Sequence, residues 1–344
     1  MTAEILSTHT PALFAAAVQR AAALLRSGEV VALPTETVYG LAAHARDKKA
    51  VAKIFQIKDR PANNPIIVHI AGIEMAKHCV TVWPAGADQL AKAFWPGPLT
   101  LVLPRTEEIP DAVTAGGPTV GVRWPSHPFI QAVIHECNFP LAAPSANLSG
   151  RTSPTTAEHV RKQLGGKIPL IIDGGPSQVG IESTVLDLTP LLRPEAGPPG
   201  ILRPGMIHAE SLAAVCGSGV QSPKPHNQSS GFLLRSPGLL EKHYAPKAAL
   251  LVLNWDDEVD LETRLAARHV PPATCHIIAH TRIPVGGRFA NVCVIPHDAE
   301  AFARAIYAEL HRGDEAGAEA IVVEAPPDSP EWSAIADRLR RAAR

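Results

Sequence analysis

Short aliphatic and β-branched runs alternate with helical patterns along most of the chain, and this alternation restricts the possible folds more than any other feature. A helix is predicted over 11–27, because apolar residues recur at helical spacing, Thr10 can act as the N-cap and Gly28 follows the last turn. The β-branched run at 29–35 predicts a strand that leads into a loop. Further helices are predicted at 48–57 and around 86–94, and further strands at 66–70 and 99–103. The pattern indicates an α/β domain with one dominant sheet.

The chain is long enough for two domains, since its 344 residues exceed what one hydrophobic core usually organises. Between Gly217 and Gly238 it is rich in Ser, Pro, Gly and Asn, which is typical of a linker. Beyond the linker, short buried-strand patterns lie at 248–255, 275–280, 291–296 and 320–326, separated by helical patterns such as 299–310. We therefore predict a larger α/β domain over 1–215, a linker over 216–246 and a small Rossmann-like α/β domain over 247–344. The small domain has no GxGxxG and no P-loop pattern, so no nucleotide is assigned to it.

Charge and cysteine content argue against several classes of protein. The 32 basic and 33 acidic side chains leave a formal charge of -1, unlike the strongly basic balance of a protein that coats nucleic acid. The five cysteines are scattered and form no CxxC pair, so neither a disulfide framework nor a zinc site is expected. A reducing, cytoplasmic setting fits best. No basic leader and no apolar run of membrane-spanning length occurs, so we expect no membrane association.

Two polar segments near the N-terminus are candidates for ligand contacts. PTETVYGL starts at Pro34, directly after a predicted strand, and its Thr35 and Thr37 either face a ligand or satisfy local backbone groups. KDRPANNP starts at Lys58, and its two cations and its amides suit polyphosphate, although a solvated helix end is as common an interpretation. His69 ends the next strand, where a histidine is more often buried and hydrogen-bonded than catalytic.

Arg123 stands in an otherwise apolar strand, where an unpaired guanidinium would be costly to bury. Thr119 lies four residues before it and therefore on the same side of the strand. A carboxylate partner is predicted for Arg123, and it comes either from a ligand such as an amino acid or from a core aspartate or glutamate.

Three later loops combine hydroxyls, amides and glycines. APSANLSGRTSPTT begins at Ala143, DGG at Asp173 and GIESTVLD at Gly180, and ILRPG then adds Arg203. Such loops can bind phosphate or ribose through neutral donors, although serine and asparagine also fill ordinary loops and DGG can be a simple tight turn. A serine hydrolase is disfavoured, because Ser145 lies in PSAN rather than in GxSxG.

Together these segments resemble the threonylcarbamoyl-AMP synthase family, whose YrdC-type domain has the same motifs in the same order. The matches are PTETVYGL, KDRPANNPIIVHI, WPGPLT, VRWPSHP, APSANLSG, DGG, GIESTVLD and ILRPG, between Pro34 and Gly205. KDRP stands where KGRP is frequent, which leaves both cations in place. SPGLLEKHYAP, from Ser236 to Pro246, resembles the segment that precedes the C-terminal domain of longer members. The resemblance implies a twisted mixed sheet curled around a concave cavity, followed by the small Rossmann-like domain.

The resemblance also implies roles for individual residues. L-threonine is expected to contact Thr37, His69, Arg123, Ala143 and Ser183. ATP is expected to contact Lys58, Arg60, Asn64, Thr119, Ser145, Ser153, Arg203 and Tyr244. Lys58, Arg60 and Arg203 are expected to be the catalytic residues, with Mg²⁺ held by the ATP phosphates and with no protein ligand to the metal.

The implied reaction makes L-threonylcarbamoyladenylate and pyrophosphate from L-threonine, bicarbonate and ATP, and supplies a downstream tRNA-modifying transferase complex. Because the adenylate is labile, a lid is expected over 236–246, in which Tyr244 closes over the nucleotide; otherwise HYAP is only the start of the second domain. The oligomeric state is not specified by the sequence.

Two other functions are weighed against this one. An RNA-binding module without turnover is the first, and the neutral charge and the lack of interleaved aromatic and basic residues count against it. A carbamoyltransferase that matures a metal centre is the second, and the absence of zinc-finger-like cysteine pairs counts against that.

Overall fold

The computed structural model describes residues 2–217, 219–221, 236–237 and 243–343. The chain divides into two compact units. The first unit comprises Met1–Ser149, Pro154–Gln178 and Glu182–Leu239, and the second comprises Gly150–Ser153, Val179–Ile181 and Leu240–Arg344. Of the predicted linker and lid, residues 218, 222–235 and 238–242 lie outside the described residues. The predicted boundaries of the three parts remain a prediction.

The first unit is built on a mixed sheet that has ten strands among the described residues. The strands are β1 (Glu4–Ser7), β2 (Val31–Leu33), β3 (Gly40–His44), β4 (Val68–His69), β5 (Leu99–Pro104), β6 (Thr119–Arg123), β7 (Leu141–Ala142), β8 (Leu170–Asp173), β9 (Thr184–Asp187) and β10 (Gly200–Arg203). Their spatial order is β1-β8-β2-β3-β7-β4-β6-β5-β9-β10. The helices are α1 (Pro11–Arg26), α2 (Lys48–Lys58), α3 (Ile73–Cys79), α4 (Ala85–Phe94), α5 (Asp111–Thr114), α6 (Pro128–Cys137), α7 (Ala157–Leu164) and α8 (Ala209–Cys216).

Local sequence explains where several of these elements begin and end. The Thr10 hydroxyl accepts a hydrogen bond from Leu13 N and caps α1, as predicted, and Gly28 follows this helix with a positive φ. The Asp47 side chain caps α2 in the same way. The strand predicted over 66–70 is shorter, since Val68 and His69 alone are paired as a strand. Ile66 N instead donates to the Val113 carbonyl in α5.

Helices cover the two faces of this sheet differently. One face packs along its length against α2, α4, α7 and α8, in a core that includes Val68, Leu101 and Val122. On the other face, α1 and α6 pack over the half that contains β1, β8, β2, β3 and β7. Over the remaining strands, the same face carries the small apolar group Ile67, Val102 and Val185. Other side chains on this face of β4, β6, β5 and β9 therefore lie beside a small apolar group and outside the two larger cores.

The second unit contains a four-stranded sheet in which all pairs are parallel. Its strands are β11 (Ala249–Leu253), β12 (Cys275–Ala279), β13 (Asn291–Val294) and β14 (Ala320–Glu324), in the order β11-β14-β12-β13. Its helices are α9 (Glu258–Ala266), α10 (Ala299–Glu315) and α11 (Ser333–Ala342). The four predicted strands and the helix predicted from 299 are confirmed, as is a mixed α/β fold followed by a small parallel α/β domain.

Two further features concern helix hydrophobicity and the cysteines. No helix in the described ranges combines the length and the apolar character needed to cross a bilayer. All five cysteines are free thiols, and burial raises the pKa of the Cys79 thiol to about 12. The thiols are therefore not paired with one another.

Candidate functional site

A row of buried polar side chains crosses four adjacent strands on the face that carries the small apolar group. Parallel pairing of β4 and β6 places His69 opposite Arg123. The antiparallel register of β5 and β6 pairs Leu101 with Val122, so Thr100 lies beside Arg123. Ser183 immediately precedes β9, on the other side of β5, and its hydroxyl is 2.8 Å from the Thr100 hydroxyl. Three of the predicted threonine contacts are therefore brought together.

Arg123 is paired with a carboxylate of the protein itself. Its Nη2 donates to Glu36 Oε1 over 2.7 Å, and its Nε donates to the Gly97 carbonyl over 3.3 Å. Both charged side chains are 4% exposed. The carboxylate that the sequence required thus comes from PTETVYGL, and the same guanidinium can still meet a ligand through Nη1, which makes neither of these bonds.

His69 is neutral in this environment. Burial, followed by the charge of Arg123, lowers the pKa of His69 to about 3, against a smaller opposing effect from the Ile67 backbone. Its Nδ1 is buried and has no hydrogen-bond partner in the described part of the chain. A buried imidazole with a free nitrogen is suited to a hydrogen bond with a ligand.

The neutral state of His69 predicts how stability depends on pH. Between pH 6.5 and about 3 the unfolded chain binds a proton at this histidine that the folded chain does not bind, so stability falls as pH falls through that range. We expect the free energy of unfolding to drop between pH 7 and pH 4.5 by about 2 kcal/mol more in the wild type than in His69→Gln. Urea denaturation at both pH values measures this. The exposed His78→Gln variant should behave as wild type, and an equal drop in wild type and His69→Gln would contradict the assignment.

The PTETVYGL turn is held by its own threonines. Thr35 Oγ1 donates to the Val38 carbonyl over 2.6 Å and lies 2.9 Å from Thr37 Oγ1. The local role that the sequence left open therefore applies to Thr35. Thr37 is fully buried, and its hydroxyl contacts the hydroxyl of Thr35.

The DGG turn packs directly on this segment. Tyr39 Oη donates to the Gly175 carbonyl over 2.7 Å and accepts from Gly174 N over 3.2 Å. A Cβ at position 174 would lie 2.7 Å from Pro34 Cγ, so a larger residue does not fit there. The glycines of this turn allow close contact with PTETVYGL and so help to fix the position of Glu36.

Lys58 anchors the PSAN loop. Its ammonium donates to the Ser145 carbonyl over 2.6 Å and to Asn147 Oδ1 over 3.2 Å, and makes a short bond to the Asn147 carbonyl. Burial, and then the charge of Arg60, lowers the pKa of Lys58, whereas three oxygen acceptors favour the ammonium form. Ser145 Oγ also donates to Asn147 Oδ1 over 2.6 Å. Two predicted nucleotide contacts, Lys58 and Ser145, are thereby joined through Asn147.

Arg60 and Asn64 form a second fixed pair. Arg60 Nη2 donates to Asn64 Oδ1 over 2.7 Å and to the Pro65 carbonyl over 2.6 Å. Asn64 is fully buried, and its Nδ2 has no partner within the residues that the structure describes. The amide donor is therefore available to an acceptor on a ligand.

Arg203 is held against Ser183. Its Nε and Nη2 both donate to the Ser183 carbonyl, over 3.1 and 3.0 Å, and Nη2 also reaches Ser183 Oγ at 3.1 Å. A Cβ at Gly205 would lie 2.3 Å from Thr184 N, so ILRPG needs glycine to approach β9 this closely. The predicted threonine contact Ser183 and the predicted phosphate contact Arg203 are thus neighbours.

The other predicted residues of the first unit lie at element ends. Thr119 is half-buried at the start of β6, opposite Pro104. Ala143 follows β7, and its N–H donates to the Ile67 carbonyl over 3.1 Å. Thr119 thus begins β6 and Ala143 follows β7, and both of these strands adjoin β4.

Ser153 and Tyr244 belong to the second unit. The Ser153 carbonyl is 3.1 Å from His311 Nε2. Tyr244 is 1% exposed and has a φ of 65°; its ring centroid is 5.4 Å from the Arg338 guanidinium carbon, and its carbonyl accepts from the Thr152 hydroxyl. Their contacts with a nucleotide remain predictions.

Sequence reasoning did not single out Glu36, Thr100 or Asn147 as site residues. The cost of burying Arg123 predicted a carboxylate partner. It did not identify Glu36, because Glu36 and Arg123 are far apart in the chain. Thr100 and Asn147 stand in motifs that were recognised, and no local signal distinguishes them from their neighbours.

Two family models together match most of the chain. One, for the Sua5, YciO and YrdC proteins and described as telomere recombination, matches 23–205. The other, for the C-terminal domain of threonylcarbamoyl-AMP synthase, matches 207–344.

Similar proteins match over nearly their whole length. A threonylcarbamoyl-AMP synthase of Pyrococcus abyssi is 39% identical over 325 residues, which cover 94% of this chain and 92% of that protein. One of Bacillus subtilis is 40% identical and covers 98% of this chain and 94% of its own. The crystal structure of P. abyssi Sua5 complexed with L-threonine has a TM-score of 0.88 at 36% identity, covering 100% of this chain and 98% of that one.

Proposed function

The chain belongs to the threonylcarbamoyl-AMP synthase family, and from this premise we propose that it joins L-threonine, bicarbonate and ATP into L-threonylcarbamoyladenylate and releases pyrophosphate. It is thereby a nucleotidyltransferase. Its product supplies the threonylcarbamoyl group to a tRNA-modifying transferase complex, and we place the protein in the cytoplasm with that complex.

The reaction has two chemical steps. Threonine's ammonium group and bicarbonate give a carbamate, water and one proton. A carbamate oxygen then attacks the α-phosphorus of ATP, and the bond from this phosphorus to the pyrophosphate oxygen breaks. Neither step requires a covalent enzyme intermediate, so positioning and charge neutralisation can supply the catalysis.

The observation that carries the proposal is the row of buried polar side chains around Arg123, which supports binding of the amino acid. A buried guanidinium beside a carboxylate, a neutral histidine and hydroxyls offers a donor for the threonine carboxylate and contacts for its amine and hydroxyl. The P. abyssi relative whose structure resembles this chain was crystallised with L-threonine. We assign the threonine site to Thr37, His69, Arg123, Ala143 and Ser183.

Three buried cations support the ATP end. Lys58, Arg60 and Arg203 are all buried, and their bonds include ones to carbonyl, amide and hydroxyl oxygens of the motif loops, which fix their positions. Their positive charges can stabilise phosphate oxygens as negative charge shifts to pyrophosphate. We assign the ATP site to these cations together with Asn64, Thr119, Ser145, Ser153 and Tyr244.

Magnesium belongs to the nucleotide in this proposal. Within the described ranges, no cluster of three His, Cys, Asp or Glu side chains could hold a metal ion. The residues assigned to the ATP site are cations and neutral polar groups, which suit phosphate oxygens. The ion is therefore assigned to the ATP phosphates, where it would neutralise negative charge.

The lid remains part of the proposal. The first residues of the segment lie in the first unit, where Arg203 Nη1 donates to the Pro237 carbonyl over 3.4 Å. Because Arg203 is assigned to the ATP phosphates, its contact with Pro237 would couple nucleotide binding to the position of the lid. Residues 238–242 of this segment lie outside the described residues.

Pyrophosphate release tests the proposal. With ATP, Mg²⁺ and bicarbonate present, we expect release that depends on L-threonine and is much slower with L-valine, because polar contacts to the threonine hydroxyl are lost. Omitting bicarbonate should abolish the threonine-dependent release. If release is equal with valine, or if the protein retains tRNA on a filter in moderate salt without any turnover, the synthase assignment is wrong.

A further inference from the structure

One oxygen of the carboxylate beside Arg123 has no hydrogen-bond partner. Glu36 Oε1 accepts from Arg123, whereas Glu36 Oε2 is buried and unpartnered in the described part of the chain. The whole residue is 3% exposed. A buried acceptor without a donor is unfavourable, and a carboxylate oxygen demands a donor more than most groups do.

The neighbouring strand offers a second unpartnered atom. His69 is the register partner of Arg123, and its Nδ1 also lacks a partner among the described residues. The two atoms without a partner therefore belong to side chains that both adjoin Arg123. One belongs to an anion and the other to a neutral ring.

The charges of this cluster match one class of ligand. Glu36 and Arg123 form a buried pair of opposite charges, so a ligand with a net charge would leave the site unbalanced. A zwitterion adds a carboxylate for Arg123 and an ammonium for Glu36. A 2-hydroxy acid of the same shape brings a carboxylate alone, and its negative charge is repelled by Glu36.

We propose that Glu36 Oε2 accepts a hydrogen bond from the α-ammonium group of the substrate and so makes the site selective for α-amino acids over 2-hydroxy acids. The inference rests on the proposed function and names a further specificity residue for it. The other role that the geometry allows is a purely structural one, in which Glu36 only orients Arg123.

Binding of two ligands to the full-length protein distinguishes these roles. The ligands are L-threonine and (2S,3R)-2,3-dihydroxybutanoate, which keeps the carboxylate and the hydroxyl of threonine and replaces the amine by a second hydroxyl. In Glu36→Gln the side-chain carbonyl can still accept from Arg123, but the negative charge is gone. By calorimetry we expect this variant to bind threonine about tenfold to hundredfold more weakly. Its affinity for the dihydroxy acid should be unchanged or higher.

The control is Glu29→Gln, which changes a half-buried glutamate paired with Lys53 and should bind both ligands as wild type does. If Glu36→Gln weakens both ligands equally, Glu36 acts only through Arg123 and the proposal is overturned. Unchanged threonine affinity would overturn it as well. A wild type that binds threonine but makes no adenylate would count against the proposed function and not against this inference.

A second measurement needs no variant, in case Glu36→Gln does not fold. The wild type should bind L-threonine at least about tenfold more tightly than the dihydroxy acid. Equal affinities would show that no carboxylate reads the ammonium group, and would overturn the proposal.

Discussion

Replacing Arg123 with alanine should abolish threonine-dependent turnover and destabilise the protein. Removing one partner of a buried ion pair leaves Glu36 charged and unpaired, which costs about 3–5 kcal/mol of folding stability. The threonine carboxylate also loses its guanidinium, so we expect kcat/KM for threonine to fall by about a thousandfold or more. Denaturant unfolding and a pyrophosphate assay measure the two effects.

A double variant separates these effects. In Arg123→Met with Glu36→Gln, both charges are removed and much of the lost stability should return, because neutral groups of similar size replace the pair. Turnover should not return. An Arg123→Ala protein that keeps wild-type affinity for threonine would show that the carboxylate binds elsewhere.

Replacing Lys58 with methionine should have the next largest effect. The ammonium holds two backbone carbonyls and one amide oxygen of the PSAN loop, and these acceptors would be left buried without a donor. We expect ATP affinity and turnover to fall together, with kcat/KM for ATP lower by about 10²–10⁴-fold, because both the positive charge and the loop position are lost. Threonine affinity should change much less. Steady-state kinetics with each substrate varied in turn measures this.

The matched control for this variant is Lys49→Met in the same helix, whose side chain is exposed. It should keep wild-type kinetics. A Lys58→Met enzyme with unchanged KM for ATP and reduced threonine affinity would reverse the assignment of the two ends of the site.

Local signals were sufficient for much of the fold. The first helix was predictable because its apolar spacing, its threonine cap and the following glycine all act within a few residues of one another. The short strand β4 was not, since its length depends on distant partners: Val68 pairs with Val122 and with Ala142. Strand ends that are set by tertiary pairing carry little signal in the sequence around them.

The site, like the fold, was predictable where the signal is local and was not predictable where distant residues meet. The sequence identified the motifs, and the cost of burying Arg123 predicted a carboxylate. It did not specify which carboxylate, because Glu36 and Arg123 are 87 residues apart in the chain and meet only in the folded structure. Lys58 illustrates the same limit, since its partners in the PSAN loop are 87 and 89 residues away. That Tyr244 is buried beside Arg338 likewise follows from packing in the second unit.

The most direct test of the synthase assignment follows two labels into one product. Purified protein is incubated with Mg²⁺, L-threonine, ¹⁴C-bicarbonate and ATP labelled with ³²P at the α-phosphate, and the mixture is separated before the labile product decays. The proposed chemistry predicts one threonine-dependent species that carries both labels in equal amounts. Carbon label without phosphorus, or AMP formation without incorporated carbon, from a folded protein would contradict it.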